Sequence, residues 1–162
     1  MRTVKLREIS ELKTGPFGTQ FSANEYALEG TPVINVKNIG YGDIITTGLD
    51  YVRIDTLERL ADHKLRKGDI VFGRRGSVDR HCLITKGQDG WMQGSDCIRV
   101  RFTDSFVLPD FVSYYLLTDA VKAKINNLFC KRVHFGMEGM KIILMKIILI
   151  SKSQLKLLDV KK

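Results

Sequence analysis

Glycine-bearing turns set the grain of this sequence. Gly15-Pro-Phe-Gly, Gly40-Tyr-Gly, Lys67-Gly-Asp, Gly73-Arg-Arg-Gly and Gly87-Gln-Asp-Gly recur through the first ninety residues. Glycine and proline punctuate regular structure, so no long helix can run through this part of the chain. What remains between the turns are short runs rich in apolar and β-branched residues. They include VKLREI within residues 1–12, Thr31–Val36, Ile44–Thr47, Ile70–Phe72, Cys82–Thr85 and Cys97–Phe102. Runs of that length and composition are expected as strands, and Asn38–Asp43 as a turn between two of them.

The period changes in two places. Asp55–Leu65 is expected as a short helix, with Asp55 as N-cap and Leu57, Leu60, Ala61 and Leu65 on one face. Pro109 suits a first helical turn, and Phe111, Val112, Tyr115, Leu116, Ala120, Val121, Ile125 and Leu128 follow at three- and four-residue spacing. The expectation is an α+β fold: a β-rich domain of short twisted strands, one long amphipathic helix (about 109–128) and a few short helices. At 162 residues, the chain is one domain long. Residues 1–150 are expected to be that domain, and 151–162 the start of a helical connector or a truncated tail.

Three cysteines (Cys82, Cys97 and Cys130) form no CxxC pair and are odd in number. They support neither a zinc ribbon nor a disulfide framework, and are expected as reduced thiols in a cytoplasmic protein. The N-terminus lacks the apolar core of a signal peptide. The apolar stretch Met140–Ile150 carries Lys141 and Lys146 and is far short of the ~20 residues of a spanning helix. It is expected as buried strand or core, with no membrane partner.

Charge is unevenly placed. The whole net charge of +8 lies in residues 121–162, with a smaller basic excess over Lys64–Lys86. Localised positive charge suits a polyanionic partner such as nucleic acid.

Motifs for catalysis are missing. G-x-S-x-G, Walker A and HExxH are absent, and His63, His81 and His134 are scattered. The three prolines are never adjacent, so no Asn/Asp-Pro-Pro-aromatic motif of DNA amino-methyltransferases can form. Neither catalytic nor metal-binding residues are expected. Glycine-flanked polar loops are what is left, and their side chains suit DNA. Arginine forks onto guanine O6 and N7, asparagine or glutamine onto adenine N6 and N7.

In order along the chain, five stretches resemble the target-recognition domain of the DNA-specificity (S) subunit of type I restriction–modification systems. They are TGPFGTQFSANEY (14–26), GTPVINVKNIGYGDI (30–44), LRKGDIVFGRRGSVDR (65–80), GWMQGSDCIRVRF (90–102) and LPDFVSYYLL (108–117). ILISKSQLKLL (148–158) is similar to a hydrophobic-proline-x-Gln segment of that family, here without its proline. The resemblance implies a non-catalytic subunit that reads one half of a split double-stranded DNA target. Its partners would be a DNA methyltransferase subunit and a restriction (translocase/nuclease) subunit. S-adenosylmethionine, ATP and magnesium would be used by those partners, with no cofactor in this chain. Family members usually carry two such domains separated by long helices. This chain carries one, as a fragment, a truncated product or a half-size subunit that could form a homodimer. The alternative is an interaction module that docks the methyltransferase subunit or self-associates without useful DNA specificity.

Reading residues vary with the target in that family, so candidates are chosen by chemistry and loop position. They are Gln20, Lys37 and Asn38 after the first two glycine clusters, Arg74, Arg75 and Arg80 in the third, and Lys131, Arg132 and His134 after the long helix. Arg74 and Arg75 are expected to point outward from the end of a strand. Phe17 and Phe72 are expected in the core, and Trp91 as a packing anchor.

Overall fold

A computed structural model describes residues 3–130 and 149–151. The chain enters as β1 (Thr3–Lys5), makes a helical turn α1 (Leu6–Ile9) and continues as β2 (Ser10–Thr14). The expected single strand VKLREI is thus broken. Leu6 and Ile9, three apart, are both buried on one side of a helical turn, and Ser10 Oγ closes it by donating to the Leu6 carbonyl at 2.7 Å. Next come β3 (Tyr26–Ala27), β4 (Thr31–Ile34), β5 (Tyr41–Gly42), β6 (Asp50–Val52) and helix α2 (Ile54–Arg59). Strands β7 (Ile70–Gly73), β8 (His81–Leu83), β9 (Met92–Gln93) and β10 (Cys97–Phe102) lead to helices α3 (Pro109–Leu116) and α4 (Asp119–Cys130), and β11 is Leu149–Ser151.

The strands form a five-stranded sheet in the order β2-β10-β7-β8-β5, a four-stranded sheet in the order β3-β6-β4-β9, and the pair β1-β11. Pairing is antiparallel except for β5 with β8 and β4 with β9. The α+β class read from the sequence holds. The five-stranded sheet separates two cores by the two-residue period of a strand. Ile70 and Phe72 of β7 and Ile98 and Val100 of β10 face Val112, Leu116, Val121 and Ile125 of the helices. Val71 and Cys97 face the other way, onto Ile34, Ile39, Leu65, Cys82 and Ile84. Each fully buried aliphatic side chain contributes about 1.5–3 kcal/mol. A third cluster, of Phe21, Val33, Val52, Leu57, Leu60 and Met92, fills the space against the four-stranded sheet.

Four further expectations are corrected. The stripe over 109–128 falls on two helices, because Thr118 ends one and starts the next. Its Oγ1 donates back to the Tyr115 carbonyl at 2.8 Å, while its own carbonyl accepts from Val121 and Lys122 at 3.0 Å. Asp55 lies inside the first turn of α2, where its carboxylate accepts the Thr56 N–H, and Arg53 takes the N-cap position. Tyr41–Gly42 is a strand rather than a turn, while in Ile44–Thr47 only Ile44 pairs, in an isolated bridge to Ile39. Most of Met140–Ile150 lies outside the described residues. Among those described, no helix is long and apolar enough to cross a membrane.

Candidate nucleic-acid interface

Four loops, three of them glycine-bearing and all far apart in sequence, meet beyond the ends of β2, β4, β7 and β9. Gly15 donates its N–H to the Cys97 carbonyl at 2.9 Å, Gly94 to Ile34 at 2.9 Å, and Arg74 to Asp96 at 2.8 Å. The approach is close enough to require glycine. A Cβ on Gly15 would strike the Gly94 carbonyl, and one on Gly94 would strike the Asn35 side chain. A Cβ on Gly73 would lie 3.3 Å from Val36. Residues 15–17, 35–37, 73–75 and 94–96 therefore form one continuous rim.

A polar network braces the rim from beneath. Asn35 Nδ2 donates to Asp50 Oδ2 at 2.8 Å and to the Tyr26 hydroxyl at 3.3 Å. Burial pushes the Tyr26 phenol above its ordinary range, opposed by its bond to Asn35. Gln93 Nε2 donates to the carbonyls of Lys13 and Cys97 at 2.8 and 3.0 Å, tying β9 to β2 and β10.

The candidate residues divide sharply. Lys37 stands on the rim, half-exposed, with Nζ 2.8 Å from Asp50. Asn38 does not reach the surface. Its Oδ1 accepts the Asn35 N–H at 3.1 Å and its Nδ2 donates to the Ile45 carbonyl at 3.0 Å, so its amide serves the turn. Gln20 has an exposed side chain, and its carbonyl accepts from Arg59 Nη1 at 2.7 Å. Arg59 also pairs with Glu25, whose carboxyl is held below its ordinary range first by the Ser22 N–H and then by Arg59.

Arg74 is shut in and Arg75 is exposed, which corrects the expectation that both face outward. Side-chain exposure is 5% for Arg74 and 72% for Arg75. β7 ends at Gly73, so both arginines lie in the bend that follows it, and the partners of each side chain decide its direction. Arg74 Nη2 bonds Asp96 Oδ1 at 2.8 Å, and its guanidinium carbon lies 5.9 Å from the centre of the Phe17 ring. Phe17, expected in the core, is 43% exposed and covers this arginine, whereas Phe72 is buried as expected. Arg80 is half-buried at the far end of the same loop. Trp91 is partly buried against the Ile34–Cys97 cluster, as an anchor. Lys131, Arg132 and His134 lie outside the described residues.

Sequence reasoning missed Asp96 and Asp50, the acidic partners of the rim. Asp96 carries no local signal, since it lies twenty-two positions from Arg74.

The rim offers cations and amides, with Asp50 and Asp96 as their acidic partners. Among the described residues no cluster of His, Cys, Asp and Glu could hold a metal ion. Burial lowers the His63 and His81 imidazoles to about 4, pushes Cys97 up to about 12 and raises Cys82 as well. Both thiols are therefore protonated at neutral pH and poor nucleophiles.

No family model matches the chain. It is 23% identical over 133 residues to the type I restriction enzyme MjaVIII specificity subunit of Methanocaldococcus jannaschii, which covers 77% of this chain and 30% of that protein. Among solved structures, the HsdS subunit from Thermoanaerobacter tengcongensis superposes with a TM-score of 0.53 at 18% identity, over 96% of this chain and 31% of that one. The type I restriction–modification S subunit from M. genitalium superposes with a TM-score of 0.55 at 16% identity, over 98% and 39%. The chain thus resembles type I specificity subunits in sequence and shares a fold found in them, spanning about a third of their length.

Proposed function

We propose that this chain, built like one domain of a type I specificity subunit, recognises double-stranded DNA by sequence and does no chemistry itself. The observation that carries the reading is the rim. Loops separated by up to eighty residues are locked together by glycine contacts, and they present Lys37 and Arg75 on a rigid β scaffold, with the exposed Gln20 three residues beyond Phe17. Phosphate contacts would position the duplex and base-edge contacts would specify it. In the finer form of the proposal, the domain reads one half of a bipartite target. It directs a DNA methyltransferase subunit, and with it a restriction subunit, to that site. S-adenosylmethionine, ATP and magnesium are needed by those partners alone.

The test is selection of bound duplexes from a random library by the full chain, with the methyltransferase subunit added. Enrichment of one short sequence is expected. A stable complex with the methyltransferase subunit and no enriched sequence would overturn the reading in favour of an interaction module. Exposed Phe106, Leu108 and Tyr114, at 65%, 38% and 74%, are the feature that favours such a module. Metal-dependent cleavage or methyl transfer by the purified chain would overturn both.

A further inference from the structure

The expected pair of outward arginines is instead a relay of three residues. Asp96 stands between Arg74 and Arg75, and one oxygen, Oδ1, faces both: it is 2.8 Å from Arg74 Nη2 and 3.9 Å from Arg75 Nε. An Asp that is 44% exposed would ordinarily wander, but this one is pinned twice by the same neighbour. Arg74 holds its carboxylate through the guanidinium and its carbonyl through the backbone N–H at 2.8 Å. Arg74 itself is shut in under Phe17.

We propose that Arg74 and Asp96 are positioning residues that aim Arg75 at the DNA. This rests on the DNA-recognition reading above and names how that site obtains its selectivity. A free arginine side chain loses rotamer entropy when it docks on a base edge, and a pre-set one loses less. The Asp96 carboxylate attracts Arg75 from its Nε side, and among the described residues neither terminal nitrogen is engaged in an ion pair. Among the described residues Arg75 has no other ion pair, so Asp96 is the one charge that steers it there. A carboxylate at a DNA-binding rim repels phosphate. That cost is offset where the carboxylate organises a contact that reads sequence.

The experiment measures dissociation constants of the full chain on the selected duplex and on a scrambled one. Asp96→Asn keeps an oxygen for Arg74 and removes the charge that steers Arg75. It should lower the ratio between the two constants by roughly tenfold, the order of one lost base contact. Affinity for the scrambled duplex should stay level or tighten. Arg75→Ala should lower the ratio to the same extent, and the double variant should fall no further. Asp96→Glu, which restores the charge, should recover part of the ratio. Arg74→Lys should also lower it, with the melting temperature recorded alongside. If it melts early, Asp96→Asn still decides. An unchanged ratio in Asp96→Asn, or a loss that adds in full to that of Arg75→Ala, overturns the relay and leaves DNA recognition standing. A wild-type chain that prefers no duplex overturns both.

Discussion

Arg101 grips Asp69 with two nitrogens inside the protein. Nε and Nη2 lie 2.8 and 2.7 Å from the two carboxylate oxygens, and the Asp69 side chain is 2% exposed. The same carboxylate accepts the Arg66 N–H at 2.7 Å, so it fixes the turn before β7 to the neighbouring strand β10. Breaking a buried ion pair from one side leaves the other charge without compensation. Asp69→Asn should therefore cost about 3 kcal/mol. A urea midpoint close to that of the wild type would show that water already reaches this pair.

The split between α3 and α4 leaves the apolar stripe intact. Leu116 and Ile125 are 1% and 0% exposed, and truncating either to alanine should cost about 2–5 kcal/mol through the cavity left behind. Lys122 is on the outer side, with Nζ 4.9 Å from the centre of the Tyr41 ring. Lys122→Ala should cost about 0.5–1 kcal/mol, as a surface cation–π contact does. Equal melting shifts for all three variants would contradict this placement.

Acid should weaken the fold before most carboxylates titrate. His81 is fully buried beside Phe72, with Nε2 2.9 Å from Ser113 Oγ. Burial lowers its imidazole to about 4, the Ser113 hydrogen bond opposes this, and nearby Lys122 adds to the lowering. His63 is lowered to about 4 as well, by burial and then by Lys13 and Arg99. The unfolded chain takes up these protons first, so stability is full above pH ~6.5 and falls as pH drops toward 4. The His81 share is at most about 3 kcal/mol. Denaturation midpoints at pH 7 and 4.5 should differ less in His81→Gln than in the wild type. An identical difference would place the acid sensitivity elsewhere.

Gly15 and Gly18 bracket the loop that carries Phe17, and they should respond differently to alanine. Gly18 has φ +63 in open space, so a side chain there meets only the left-handed backbone penalty of about 1 kcal/mol. At Gly15 the added carbon meets the Gly94 backbone, and the two loops must part. Gly15→Ala should lower stability by more than Gly18→Ala and loosen the rim. Limited proteolysis at Phe17–Phe21 reads the loosening directly, and equal cleavage in both variants would argue against a locked rim.

Contacts with DNA should sort into two kinds. Arg75→Ala should cost about 1–3 kcal/mol on the selected duplex and much less on a scrambled one. Lys131→Ala and Arg132→Ala, in the basic region that holds the net charge, should weaken both duplexes alike. Each should reduce the salt slope by roughly one. Titrations at two salt concentrations separate these behaviours. Equal losses on both duplexes for Arg75→Ala would make Gln20 and Lys37 the better readers.

Local pattern carried much of this fold into view. Ile70–Phe72 and Cys97–Phe102 are strands because their alternation and β-branched residues match a sheet buried on both faces. The helical stripe was legible, but its interruption at Thr118 was not, since spacing is blind to one hydroxyl turning back on a carbonyl. Side-chain direction at the rim was the least legible part. Asn38 and Lys37 are adjacent and equally polar, yet one is sealed in a turn and the other stands in solvent. Arg74 and Arg75 repeat the lesson, because the deciding residue, Asp96, is twenty-two positions from Arg74.

The pairing of β2 with β10 has a consequence in time. Glu11 and Arg99, which bond across it at 3.3 Å, are 88 residues apart in the chain. A ribosome adding about 5–20 residues per second needs roughly 4–18 seconds to deliver the second after the first. Through that interval β2 leaves the tunnel with its partner unmade, and its apolar Leu12 is open to any other strand edge in reach. Substitutions in β10 should therefore act on the yield of newly made protein at least as strongly as on the stability of protein already folded.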